Sequence, residues 1–158
     1  MSDPRPSSGV AIRAWGLAGA LCALVVVLDQ VAKALIENDL VPGQKVDVLG
    51  PLGLTLAHNQ GVAFGLASGS DAPLIVFAVL ALGFVGLLLA RNPGTPGMWI
   101  AVGLVAGGAL GNLIDRVRAG EVTDYVEIGS WPPFNLADVA ITAGVLAFAL
   151  IFLREEGR

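Results

Sequence analysis

Two aspartates, Asp124 and Asp138, are the residues of this 158-residue chain best placed by type and setting to do chemistry. Both lie in the stretch Gly111 to Asp138, GNLIDRVRAGEVTDYVEIGSWPPFNLAD, which leaves one long apolar run and stops at the mouth of the next. Acids this close to lipid are costly, so they are functional candidates by default. Two carboxylates about 3 Å apart cannot both ionise and share one proton at neutral pH. The ionised one can take a proton from water while the protonated one polarises a carbonyl. That pair hydrolyses an amide without a metal and without a nucleophilic Ser or Cys. Asp115 reads differently: Arg116 beside it and Asn112 nearby point to packing and an ion pair at a helix end. Asp124 and Asp138 have no basic neighbour in sequence, which leaves them freer to react.

Composition says where such a pair would work. The chain is 55% hydrophobic and only 14% charged, against roughly 25% charged in soluble domains. It lacks the polar surface to cover itself with. No Lys/Arg cluster is present, which argues against a nucleic-acid partner. A lone cysteine, Cys22, excludes an intrachain disulfide and any Cys-based metal cluster. The lone histidine, His58, could build a zinc site only with several acid co-ligands, so neither metal nor other cofactor is expected. His58 reads instead as an interfacial histidine with a polar partner.

The elements that must position the acids are four apolar spans, about 14–36, 72–90, 98–115 and 136–153, in a single domain. The second, with nineteen uncharged residues, is long enough to cross ~30 Å of hydrocarbon with little tilt. Residues 1–9 are polar and Pro/Ser-rich, and are expected to be disordered. LAGALC before Cys22 is a near miss to a lipoprotein cleavage box, but the apolar run continues past it, which favours an uncleaved span with Cys22 buried. Asp29 and Lys33, spaced i, i+4, share a face at the end of span one and can pair. Outer loops occupy 37–71 and 116–135, and alternation around Gly50-Pro51 predicts a hairpin over 45–58. Asn59-Gln60-Gly61 opens a segment whose glycines suit close backbone approach. Gly103, Gly107, Gly108 and Gly111 let the third span approach its neighbours. The fold class is therefore an all-α membrane protein, a four-transmembrane-helix bundle with a small extracytoplasmic β-hairpin platform.

Four spans put both termini on one side, with Arg5, Arg13, Arg91, Arg154 and Arg158. Lys33, Lys45, Arg116 and Arg118 fall on the other side, but Lys33 and Arg116 each have an acid nearby. The free positive charge then tips towards cytoplasmic termini. Asp29, Lys33, Asn59, Asn112, Asp115, Arg116, Asn135 and Asp138 all gather at the outer ends. A transporter or channel using the same acids is the rival reading. It would want polar groups at mid-span or an inverted repeat with broken helices, and neither is evident. A non-enzymatic bundle protein would give no reason for polar clusters on one side.

Five motifs in order, LDQVAK at 28–33, NQGVAFG at 59–65, GNLIDR at 111–116, GEVTDY at 120–125 and FNLAD at 134–138, carry a resemblance. The chain resembles the lipoprotein signal peptidases (signal peptidase II), four-span bacterial membrane aspartic peptidases, over most of its length. The resemblance implies that Asp124 and Asp138 are the catalytic dyad. It places Asp29, Lys33, Asn59, Gly61, Asn112, Arg116 and Asn135 at supporting or substrate-binding positions and leaves Asp115 structural. It also implies a diacylglyceryl-modified prolipoprotein substrate, cut just before its lipidated cysteine, with the hairpin as a platform over it. Membrane lipid, inhibition by cyclic peptides such as globomycin, a monomer, and a place in the bacterial cytoplasmic membrane belong to the same expectation. Tyr125 stands where the family usually has Phe, and Val62 and Gly65 where small or hydroxyl residues are frequent.

Overall fold

A computed structural model describes residues 7–61 and 72–156. In chain order these form α1 (Ser8–Asp39), β1 (Lys45–Leu49), β2 (Leu52–Asn59), α2 (Ala72–Arg91), α3 (Met98–Ala119), β3 (Val122–Ile128) and α4 (Leu136–Glu156). All four helices are long and apolar enough to cross a membrane. The 32 residues of α1 run about 48 Å at 1.5 Å per residue, well beyond ~30 Å of hydrocarbon. The surplus carries Asp29 and Lys33 up to the sheet. Ser8 and Gly9, expected in a disordered tail, already belong to this helix. Cys22, expected to be buried, is only half-buried on it. Val62 and Gly65 lie outside the described residues.

In lipid the hydrophobic effect does not push helices together, so close packing through small residues must. Helix α3 is the centre of the bundle and touches α1, α2 and α4. Half of its apolar window is buried inside the protein, against 11% for α2. Away from the sheet the core comprises Ala14, Ala18, Val85, Leu89, Met98, Ala101, Val102, Val105 and Ile151. Towards the sheet the approach is closer still. A Cβ on Gly107 would lie 2.6 Å from Val25 Cβ, and one on Gly111 2.6 Å from Asp29 Oδ2. Only glycine fits at either position.

The hairpin forms as expected, β1 antiparallel to β2 around Gly50, whose φ is +55°. A third strand was not expected. Residues 116–135 were read as one outer loop. Instead α3 continues to Ala119, Gly120 stops it in the left-handed region at φ +76°, and β3 then pairs antiparallel with β2. The physical reason is that β2 would otherwise leave a row of unpaired backbone groups along its inner edge. The stretch VTDYVEI, β-branched and aromatic, satisfies them. Strand β2 also bulges: Leu54 faces Val126 but Ala57 faces Asp124, so Thr55 and Leu56 together oppose Tyr125. A one-residue offset of this kind exchanges the two faces of a strand, and it puts Asn59 on the same face as Asp124.

Gly107→Ala should therefore destabilise the bundle by about 1–3 kcal/mol through overpacking, although alanine is the better helix former. Gly83, with nothing within 4 Å of a Cβ, should accept alanine with a gain of up to about 1 kcal/mol from helix propensity. Thermal unfolding of the two variants in detergent measures both signs.

Candidate active site

Asp138 occupies the first turn of α4, and the start of that helix organises the site. Asn135 is its N-cap: Asn135 Oδ1 accepts from the Asp138 backbone N–H at 3.0 Å, and Asp138 Oδ2 accepts from the Asn135 N–H at 3.3 Å. This reciprocal pair is a capping box. Two other elements satisfy what remains. Tyr125 Oη on β3 accepts from the Leu136 N–H at 3.3 Å, and Asp29 Oδ1 on α1 accepts from the Ala137 N–H at 3.0 Å. The free donors that any helix start presents are thus all used. Burial pushes the Tyr125 phenol above its ordinary range, so it stays a neutral hydroxyl. Asn135 was expected as the cap; the hydroxyl that distinguishes Tyr125 from Phe had no forecast role.

Lys33 is the second organiser, only 3% exposed. Its Nζ lies 2.8 Å from Asp29 Oδ2, 2.6 Å from Asp115 Oδ2 and 3.0 Å from Asn112 Oδ1. Two carboxylates and one amide oxygen thus surround the ammonium. The i, i+4 pairing of Asp29 with Lys33 is present, while the ion-pair partner of Asp115 is Lys33 and not Arg116. With its oxygen turned to Lys33, Asn112 points its amide nitrogen the other way, and Nδ2 donates to Asp138 Oδ1 at 2.8 Å.

Asp124 comes from the middle of β3 and is 2% exposed. Asn135 Nδ2 donates to its Oδ1 at 2.7 Å, and Asn59 Nδ2 donates to its Oδ2 at 2.9 Å. Asn59 is itself oriented, because its Oδ1 accepts from the Gly61 N–H at 2.9 Å. Gly61 sits at φ +70°, and a Cβ there would run into Leu74, so glycine is required. Asn135 Nδ2 also reaches Asn112 Oδ1 at 3.1 Å, closing a network from Lys33 to both carboxylates. Burial pushes the Asp124 carboxyl up to about 6; the Asn59 bond opposes this, the Asp138 charge adds to it, and Asn135 and Lys33 pull it down. Apart from this network, Trp131, Phe134, Val139, Ala143 and Leu146 line a groove of about 400 Å³ beside Asp138. Among the described residues no cluster of His, Cys, Asp or Glu has a metal-holding arrangement.

A buried Asp124 and a half-buried Asp138, bridged by one asparagine amide network, thus stand at the end of a four-helix bundle whose sequence carries five ordered motifs. A family model described as signal peptidase (SPase) II matches residues 21–154. The chain belongs to the signal peptidase II family. It is 37% identical over 148 residues to a lipoprotein signal peptidase of Syntrophomonas wolfei, covering 93% of this chain and 97% of that protein. A second, from Caulobacter vibrioides, is 39% identical over 165 residues, covering 97% and 96%. Among solved structures, a bacterial membrane enzyme determined by the in meso method at 2.3 Å superposes with a TM-score of 0.81. It is 30% identical and covers 89% of this chain and 90% of that one.

In this signal peptidase II family member the structure brings Asp124, Asp138, Asn59, Asn112, Asn135, Asp29, Lys33 and Asp115 together. Gly61 contributes through its backbone. Arg116 stands apart: among the described residues it reaches the site through the Asn112 carbonyl, to which Nη1 donates at 3.3 Å. Sequence reasoning passed over Gln30, whose Nε2 donates to Asp115 Oδ1 at 2.8 Å and contacts the Gly111 carbonyl at 3.3 Å. Its position between Asp29 and Lys33 in LDQVAK was the available signal. His58 has the polar partner expected of it, with Nδ1 2.9 Å from Glu121 Oε1.

Lys33→Met leaves two buried carboxylates facing one another and should cost about 3–5 kcal/mol, as breaking a buried ion pair does. Asp115→Asn keeps an acceptor for Lys33 and should lose less. Membrane accumulation and thermal midpoint in detergent should both rank parent, Asp115→Asn, Lys33→Met.

Proposed function

We propose that this chain is a membrane aspartic endopeptidase, with Asp124 and Asp138 as its catalytic dyad. Its substrate is a diacylglyceryl-modified prolipoprotein, whose signal peptide it removes by cutting before the lipidated cysteine. The observation that carries the reading is the Asn135–Asn112 amide network, which holds both carboxylates by named donors without neutralising either one. Family membership supports the peptidase activity, and the names of the relatives support the substrate class.

The dyad shares one proton. The ionised carboxylate takes a proton from water, whose oxygen attacks the scissile carbonyl; the protonated one donates to the carbonyl oxygen. Collapse of the tetrahedral adduct then breaks the C–N bond, and the departing amine takes the proton carried by the dyad. Asn59, Asn112 and Asn135 hold the carboxylate oxygens in place throughout, which is where preorganisation enters. The apolar groove beside Asp138 fits a substrate whose reacting bond lies next to acyl chains.

The enzyme sits in the bacterial cytoplasmic membrane, and the arginines around the termini support cytoplasmic termini with the dyad near the outer face. The exposed Trp131 beyond the dyad suits an outer interfacial anchor. A cyclic peptide such as globomycin would occupy the same pocket, and the enzyme would act as a monomer. An ion path is disfavoured, because the polar network stays at one end of the bundle.

Asp124→Asn and Asp138→Asn should each lower cleavage of a lipidated precursor by at least about 10²- to 10⁴-fold, the range of general acid–base catalysis, while the protein still accumulates. A gel-shift assay of the precursor reads this, and full cleavage by either variant sinks the dyad. The sign of the pH dependence follows from Asp124: its carboxyl is raised to about 6, so it is ionised at pH 7 and gains a proton as pH falls. The acid limb of the rate profile should therefore lie near pH 6, a macroscopic value belonging to the pair, and cleavage should fall away below it.

A further inference from the structure

The bond from Asn59 Nδ2 to Asp124 Oδ2 joins the last residue of β2 to the middle of β3. Asn59 is an awkward anchor for it, being exposed and at the end of its strand. Yet both of its sequence neighbours are held by one carboxylate. Glu121 Oε1 lies 2.9 Å from His58 Nδ1, and Glu121 Oε2 accepts from Gln60 Nε2 at 3.3 Å. At the first contact Nδ1 must carry the proton, since a carboxylate only accepts. Each oxygen takes one donor, so the carboxylate straddles Asn59.

The register explains why this grip bears on the dyad. His58 faces Thr123 and Asn59 faces Val122 across the antiparallel pair. Side chains alternate between faces, so Asn59 and Asp124 are diagonal neighbours on one face, and His58 and Glu121 are diagonal neighbours on the other. The Glu121 contact is the rear counterpart of the Asn59–Asp124 bond. Glu121 immediately precedes β3, and Thr123 Oγ1 ties the same strand to Glu37 of α1. Its anchorage is therefore firmer than the end of β2 that it holds.

We propose that Glu121 is a positioning residue for the peptidase reaction, clamping His58 and Gln60 so that the Asn59 amide stays on Asp124. The proposal rests on the reading of Asp124 as one of the reacting carboxylates. Its consequence is electrostatic. A donor on a carboxylate favours the ionised form, so an Asn59 that wanders lets the Asp124 titration move to higher pH. The other groups facing Asp124 are Asp138 of α4 and Lys33 of α1. Those around Glu121, besides His58, are Glu37 and Lys33 of α1 and Asp115 and Arg118 of α3.

The test uses full-length protein in detergent and a lipidated precursor peptide, with kcat, KM and the acid limb of kcat as readouts. Glu121→Ala should lower kcat roughly three- to tenfold, short of the ~10²-fold that a 1 Å misplacement costs. KM should stay near the parent value, and the acid limb should move to higher pH. Asn59→Ala should move the limb the same way, and the double variant should go no further than Asn59→Ala alone. Glu121→Gln, which keeps one acceptor, should restore part of the rate. His58→Ala/Gln60→Ala should reproduce Glu121→Ala with Glu121 present, and it replaces that variant if Glu121→Ala does not accumulate. An unmoved limb in Glu121→Ala beside a moved one in Asn59→Ala overturns the clamp alone, as do additive effects in the double variant. An unmoved limb in Asn59→Ala overturns the reading of Asp124 along with the clamp.

Discussion

A buried ammonium is costly unless opposite charge and polar acceptors surround it, and the end of this bundle beside the sheet is arranged around Lys33 in such a setting. The cost of taking such an ion out of water is several kcal/mol. It is offset by Asp29 and Asp115, both within 2.8 Å, and by the Asn112 oxygen at 3.0 Å. Everything downstream is orientation. Because Asn112 gives its oxygen to Lys33, its nitrogen is committed to Asp138. Because Asp29 gives Oδ2 to Lys33, Oδ1 is left for the Ala137 N–H at the start of α4. One cation thereby fixes side chains on α1, α3 and α4.

The start of α4 converts that orientation into chemistry. Its N–H groups are taken by a strand hydroxyl, a carboxylate from α1 and its own cap. Asp138 sits within the first turn, its carboxylate held by the Asn112 amide and the Asn135 N–H. Asp124 sits on a strand in a desolvated position, which raises its carboxyl to about 6. Two carboxylates of the same type thus reach one amide network from different elements, a strand and a helix start. Asn135 spans both environments, capping the helix with its oxygen and donating to Asp124 with its nitrogen.

The small sheet is the part that makes a lipid-embedded bundle into a site. Helices alone would present Asp138, Asn112 and Lys33 at an open end. Strand β3 carries Asp124 over that end, and β2 brings Asn59 to it across the bulge at Thr55 and Leu56. Bulges beside functional residues commonly re-aim a side chain, and here the extra residue sets which face Asn59 occupies.

Much was legible in the sequence, for identifiable reasons. Four apolar runs fix four spans, since hydrocarbon leaves the backbone no other way to cross. Asn135 three residues before Asp138 is a cap by spacing alone. The polar residues of LDQVAK, GNLIDR and FNLAD stand out because lipid-facing sequence has no use for them. What sequence could not decide is pairing across long separations. VTDYVEI looked like loop because its strand character depends on β2, some 65 residues earlier by the Asn59–Asp124 bond. Arg116 beside Asp115 suggested the wrong ion pair. Adjacent residues on a helix point apart, whereas Lys33 arrives from another helix at a glycine-permitted approach. The chain by itself determined which groups are polar, which are apolar and where the membrane must lie. Only the tertiary structure decided which oxygen faces which nitrogen, because those choices are fixed by the closest approach of α1, α3, α4 and the sheet.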